Sequence, residues 1–261
     1  MPLWWLARGA IRKVAPLAFL GLPAWAGAAP LCPTDRIDEQ VSVAHVFDGD
    51  TVKLADGRHV RLTGIDTPEV GHNGERSQPL AEEARAALES RLRATPRVGL
   101  RYDAERRDQY GRLLAHLYAP DGSDLAAEQL AQGFASTLVV PPNTWNLECF
   151  ARQEAAAREA GRGVWRLPAY RGVESTALAR DTLGVYRVLG RVVHVGESRK
   201  SLWLDLEGGL GVRIPREDLH YFGDLHGLKG RRIAVRGRIY SDAGKLQMTI
   251  DHPSALAAPS P

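Results

Sequence analysis

Two short stretches concentrate the charged residues best suited to chemistry. Asp48-Gly49-Asp50-Thr51 is one; Arg61-Leu62-Thr63-Gly64-Ile65-Asp66-Thr67-Pro68-Glu69 is the other. Carboxylates at strand ends, with the backbone held by a sheet and the side chains facing a loop-lined cleft, are placed to hold a hard cation such as calcium. Asp50 and Asp66 are the candidate ligands, with the backbone carbonyl of Thr67 as a neutral third. Glu69 follows a proline that stiffens the turn and is placed to orient or deprotonate a water. Arg61 and Arg112 are planar forks that match phosphate oxygens. A cation, arginines and a water-activating group are what hydrolysis of a phosphodiester requires. Each residue also has a plainer reading, since Asp and Gly populate turns in any protein and Arg61 could be a solvated strand residue. The combination carries the argument. His45, His59 and His116 are too scattered for a zinc site.

The elements that must position these residues are legible as patterns. Alternation from Val41 gives a first strand, Val52 and Leu54 mark a second, and the Asp56-Gly57 turn makes a hairpin with a third over Arg58–Gly64. On that third strand Val60 and Leu62 point one way and Arg61 the other. Val70–Gln78 is polar and glycine-bearing, which predicts a surface loop. Leu80, Ala84, Leu88 and Leu92 then recur every four residues after Pro79, the signature of an amphipathic helix. Strands follow at Val98–Tyr102 and Leu113–Tyr118. A second helix spans Asp124–Gln132, with Ser123 as N-cap and Gly133 as stop, and a third spans Leu147–Ala160. Five strands with interleaved helices predict a mainly β fold with α, a five-stranded OB-fold barrel with three helices.

A length of 261 residues suffices for two domains. Arg8, Arg12 and Lys13 precede an apolar run to Trp25, and Ala26-Gly27-Ala28 offers a small-residue cleavage site, so residues 1–28 read as a signal peptide. The expectation is an exported protein, periplasmic or secreted, with no stable membrane association. The signal carries three of the 34 basic residues and none of the 31 acidic ones, which leaves the remainder balanced. Charge is unevenly spread: Ala29–Glu174 is net −4 and Ser175–Pro261 is net +4. Cys32 and Cys149 would reach an oxidising compartment. There they either pair as a disulfide or remain two thiols, and sequence alone does not bring them within bridging distance.

Five blocks recur in order and spacing: Asp48–Thr51, Arg61–Glu69, Asp108-Gln109-Tyr110-Gly111-Arg112, Gln132-Gly133-Phe134-Ala135 and Gly161-Arg162-Gly163-Val164-Trp165. Over about Val41–Trp165 the chain resembles the thermonuclease (SNase-like) family. The resemblance implies an OB-type barrel with three helices and calcium-dependent cleavage of DNA and RNA that leaves 3′-phosphate ends. It also implies Asp50, Asp66 and the Thr67 carbonyl as calcium ligands, Glu69 as general base, Arg61 and Arg112 on the phosphate, and Tyr110 beside it. One departure stands out. Similar nucleases carry base-stacking tyrosines after the Gln-Gly block, whereas Ser136–Pro142 contains no aromatic residue. The competing expectation is a non-catalytic nucleic-acid-binding or interaction protein on the same scaffold, against which the intact acidic and arginine set argues.

Beyond a weakly patterned linker at 171–182, alternation returns at Tyr186–Val195, Ser201–Leu206, Gly211–Ile214, Arg232–Tyr240 and Gln247–Ile250. This predicts a second, smaller OB-like barrel over 183–252 after a nuclease-like domain over 29–170, with a disordered tail at 253–261. Arg232, Arg236 and Arg238 share the polar side of one strand, and with Trp203 they are candidates for a nucleic-acid face. A solvated outer face is the alternative.

Overall fold

The computed structural model describes Met1, residues 29–95 and residues 97–257; the predicted signal peptide, residues 1–28, lies outside the described residues apart from Met1. The first half builds β1 (Glu39–Val46), β2 (Thr51–Leu54), β3 (His59–Leu62), β4 (Ile65–Asp66), α1 (Ala81–Ala94), β5 (Arg97–Arg107), β6 (Leu113–Tyr118), α2 (Leu125–Gln132), β7 (Ser136–Thr137) and α3 (Leu147–Glu159). Strands β1, β2, β3, β6 and β5 close a barrel in that order, antiparallel except for the β3–β6 pair. Closure works because β1 bends. Its first half pairs with β5 and its second with β2, with the register shifting between Val43 and His45. Val52, Leu54, Val60, Leu62, Leu100 and Leu117 fill the core, and the stripe Ala84, Leu88, Leu92 of α1 is buried as its spacing predicts. Two helix starts differ from expectation. Leu80 is the left-handed residue ahead of α1, and Asp124 rather than Ser123 caps α2, its Oδ1 accepting from the Ala126 N–H at 2.8 Å.

The second half adds α4 (Pro168–Arg171), β8 (Val173–Glu174), β9 (Gly184–Glu197), β10 (Ser201–Leu206), β11 (Gly211–Pro215), β12 (Arg232–Asp242), β13 (Lys245–Thr249) and β14 (Leu256–Ala257). Strands β9, β10, β11, β13 and β12 follow one another, and β12 returns to pair with β9. This second five-stranded ring repeats the order of the first, down to its parallel pair, β11 with β13. Two boundaries move. The predicted linker is partly structured, because β8 pairs with β9 and Tyr170 is buried against Trp165. The predicted tail is ordered through Ala257, where β14 pairs with Ala234 and Val235 of β12.

The barrels meet at α3 and β7. Arg236 of β12 donates to Glu154 Oε1 of α3 (2.6 Å) and to the Thr137 carbonyl of β7 (2.9 Å), and Glu154 Oε2 accepts from the Thr137 N–H (2.6 Å). Both charged side chains are nearly enclosed, at 12% and 10% exposure. Cys32 is bonded to Cys149 in the first turn of α3, the pairing that sequence left open.

Candidate active site

The loop from β1 to β2 delivers the first acids. Gly49 separates them because the chain passes too close to its neighbours for a side chain. A Cβ there would sit 2.8 Å from both Ala84 Cβ and Thr67 Cγ2. Asp48 Oδ1 accepts from the Asp50 N–H at 3.0 Å and locks the turn. Gln129, buried on α2, donates to the carbonyls of Gly49 (3.1 Å) and Ala84 (2.8 Å), stapling this loop to α1. Asp66 arrives on β4 after a left-handed turn at Gly64, and β4 is held by β7 through the pairs Ile65 with Thr137 and Asp66 with Ser136.

Asp50 and Asp66 converge on Arg61, and Thr67 is tied to Asp50. Asp50 Oδ2 accepts from the Thr67 N–H and hydroxyl, each at 2.9 Å, and is paired with Arg61 Nη1. Arg61 Nη2 reaches Asp66 Oδ1 at 3.2 Å. Burial pushes Asp48 up to about 7, with the Asp50 charge adding to it, and pushes Asp66 up to about 6 against the pull of Arg61. Burial alone would lower the Arg61 guanidinium, but Asp50 and Asp66 outweigh it and hold it above its ordinary value. Four carboxylates, Asp50, Asp66, Asp48 and more remotely Glu69, thus bear on one largely buried guanidinium.

Glu69 lies further out at 52% exposure, its N–H accepted by Gln78 Oε1 at 3.1 Å, and its charge acts on Asp48, Arg61 and Asp66. Arg61, Tyr110 and Arg112 line one cleft of about 890 Å³. Arg112 Nε donates to Asp108 Oδ2 at 2.6 Å, and Asp108 also accepts from the N–H groups of Tyr110 and Arg112. Despite partial burial, these donors hold Asp108 below the usual carboxylate range. The guanidinium of Arg112 stays half-exposed, 5.5 Å from the centre of the exposed Tyr110 ring.

Comparison with known proteins fits this geometry. A sequence model described as "Staphylococcal nuclease homologue" matches residues 59–167. The thermonuclease of Staphylococcus intermedius is 33% identical over 136 residues, covering 51% of this chain and 79% of that one. The chain belongs to the staphylococcal nuclease homologue family. The thermonuclease of Staphylococcus hyicus is 30% identical over 132 residues, 49% of this chain and 76% of its own. A probable endonuclease, LCL3, of Schizophyllum commune is 35% identical over 121 residues, 41% of this chain and 40% of its own. Against that relative and the SPbeta prophage-derived endonuclease YokF of Bacillus subtilis, the chain spans less than half of the relative's length.

In this nuclease homologue the matched region ends before the second barrel, and there the sequence-derived nucleic-acid face needs correction. Arg236 is committed to Glu154 and Thr137 at the inter-barrel contact and has no open face to offer. Arg232 pairs with Glu174. Trp203 lies opposite Gly196 of β9, and Arg236 lies opposite Arg187 of the same strand, nine residues away. The four residues therefore do not form one platform. Arg238 instead reaches the first barrel's site, with Nη2 3.9 Å from Glu69 Oε1. Sequence reasoning missed Gln129, Asp108 and Glu154 as positioning residues. Gln129 carried a local signal, a polar side chain at a buried position of an otherwise apolar helix face, and Asp108 sat in a recognised block without its role being visible, whereas Glu154 carried none.

Proposed function

We propose that this chain is an exported, calcium-dependent nuclease that hydrolyses phosphodiester bonds of DNA and/or RNA and leaves 3′-phosphate ends. The observation that carries the reading is the excess of buried negative charge beside Arg61. One guanidinium faces Asp48, Asp50 and Asp66, and two of these acids are pushed toward neutral pH. An all-oxygen donor set with unbalanced charge fits a hard divalent cation. Asp50 and Asp66, with the Thr67 carbonyl, would hold it. Among the described residues no three His, Cys, Asp or Glu side chains are grouped so as to hold an ion by themselves. A bound calcium supplies charge to the phosphoryl oxygens.

The chain's own residues do the rest. Arg61 and Arg112, which both line the cleft, bind the phosphate, and Tyr110, in the same lining, flanks it. Glu69, 3.9 Å from the cleft-lining Arg238, orients a water or takes its proton. Export is supported by the Cys32–Cys149 disulfide and by the composition of residues 1–28. No described helix is long and apolar enough to cross a membrane. The test is cleavage of single- and double-stranded DNA and of RNA, with calcium and with a chelator, followed by end-group analysis. Cleavage should require calcium and leave 3′-phosphates. Glu69→Gln should lower kcat by about 100-fold or more with an unchanged unfolding midpoint. Absence of calcium-dependent cleavage by the wild-type chain would overturn the reading.

A further inference from the structure

Arg238 is the arginine of β12 that remains uncommitted. Its side chain is 53% exposed, and its one ionic neighbour within 4.0 Å among the described residues is Glu69, at 3.9 Å, too far for a hydrogen bond. Arg236, two residues earlier, is spent on Glu154 and Thr137, and Arg232 on Glu174. That commitment fixes where Arg238 stands, because Arg236 anchors β12 to the first barrel and the ladder sets Arg238 opposite Val185 of β9.

Two concave spaces meet at this side chain. The cleft of about 890 Å³ contains Arg61, Tyr110 and Arg112. A narrower groove of about 150 Å³ runs between the barrels past Asp66 and Ser136. Only Leu138 and Arg238 line both. Exposed Leu138 and Val140 give the cleft an apolar wall, and Arg238 puts a free guanidinium at the junction. A guanidinium fork there matches the next phosphate of a chain whose scissile phosphate lies at Arg61 and Arg112.

We propose that the second barrel completes the substrate cleft by supplying Arg238 as a phosphate contact on the polynucleotide, next to the scissile bond. The inference rests on the nuclease reading and assigns the second barrel a part in substrate binding at the catalytic site.

The test uses the full chain, calcium and a fluorescently labelled single-stranded DNA oligonucleotide. Arg238→Ala should raise KM about tenfold, the weight of one charge-assisted contact, while kcat changes less than about twofold. The dependence of log KM on log salt should become shallower by about 0.7. Arg238→Lys should restore the salt slope and part of the KM. Lys229→Ala, on the exposed loop before β12, should change neither quantity. Unfolding midpoints of all variants should match, since Arg238 is half-exposed. Unchanged KM and salt slope in Arg238→Ala would overturn the proposal, as would a rise in activity, which would make Arg238 a cap on Glu69. If the wild-type chain does not cleave, the nuclease reading fails separately. Oligonucleotide affinity by anisotropy then decides the role of Arg238, and equal affinity for wild type and Arg238→Ala overturns it.

Discussion

At the scale of single residues, the site depends on groups that touch no substrate. Gln129 donates from α2 to the carbonyls of Gly49 and Ala84 and so holds the turn carrying Asp48 and Asp50 against α1. Gln129→Leu keeps the volume but strands the Gly49 carbonyl, at a cost of about 1 to 3 kcal/mol. On the proposed calcium site, affinity for calcium should fall with it, because the carboxylate of Asp50 is no longer pre-positioned. Thermal unfolding with and without calcium checks both effects, and an unchanged calcium-induced shift would show that the staple does not reach the ligands. The types and spacing of Asp50, Arg61, Asp66, Glu69 and Arg112 were visible in the sequence because each sits in a short motif. Asp108, which orients Arg112, lies in such a motif too, but its role appears only once its three donors are in place.

At the scale of elements, the tight β3–β4 turn aims Asp66. Gly64 has φ of +86°, and a Cβ there would lie 2.5 Å from the Phe150 ring. Gly64→Ala therefore combines backbone strain with overpacking and should cost about 2 to 3 kcal/mol. It should also move β4 relative to β7. The measurement is the unfolding midpoint together with the calcium-induced shift. A variant as stable as wild type with normal calcium response would refute this account. Strands and helices were largely legible from period-two and period-four patterns. Short pieces such as β4, β7, β8 and β14 were not, since two residues carry no period and form only where a neighbouring edge offers hydrogen bonds.

At the scale of the whole molecule, the two barrels are joined by a buried ion pair. Burial would raise the Glu154 carboxyl, but the Arg236 charge and the Thr137 donors outweigh it and hold Glu154 below its ordinary value. A depressed acid stabilises the fold above its unfolded pKa, and that contribution disappears as pH falls through the folded one. Glu154→Gln should therefore cost about 3 kcal/mol at neutral pH by leaving Arg236 unpaired. The difference from wild type should shrink below about pH 4. Unfolding midpoints across pH 3 to 8, taken in steps of about one unit, measure it, and a pH-independent difference would exclude the pair as its source. This contact was not legible in the chain. Glu154 and Arg236 lie 82 residues apart, and alternation assigns Arg236 to an outward face without revealing that another barrel covers it.

Helix α3 connects these scales. Its first turn carries Cys149, bonded to Cys32 ahead of β1, and five residues later, about 7.5 Å along the axis, Glu154 grips Arg236. The same rod is thus fastened at one end by a covalent tie and in its middle by an electrostatic one. Whatever reductant or oxidant acts on the Cys32–Cys149 bond acts on the beam that bears the joint between the barrels, and through β7 on the strand that presents Asp66.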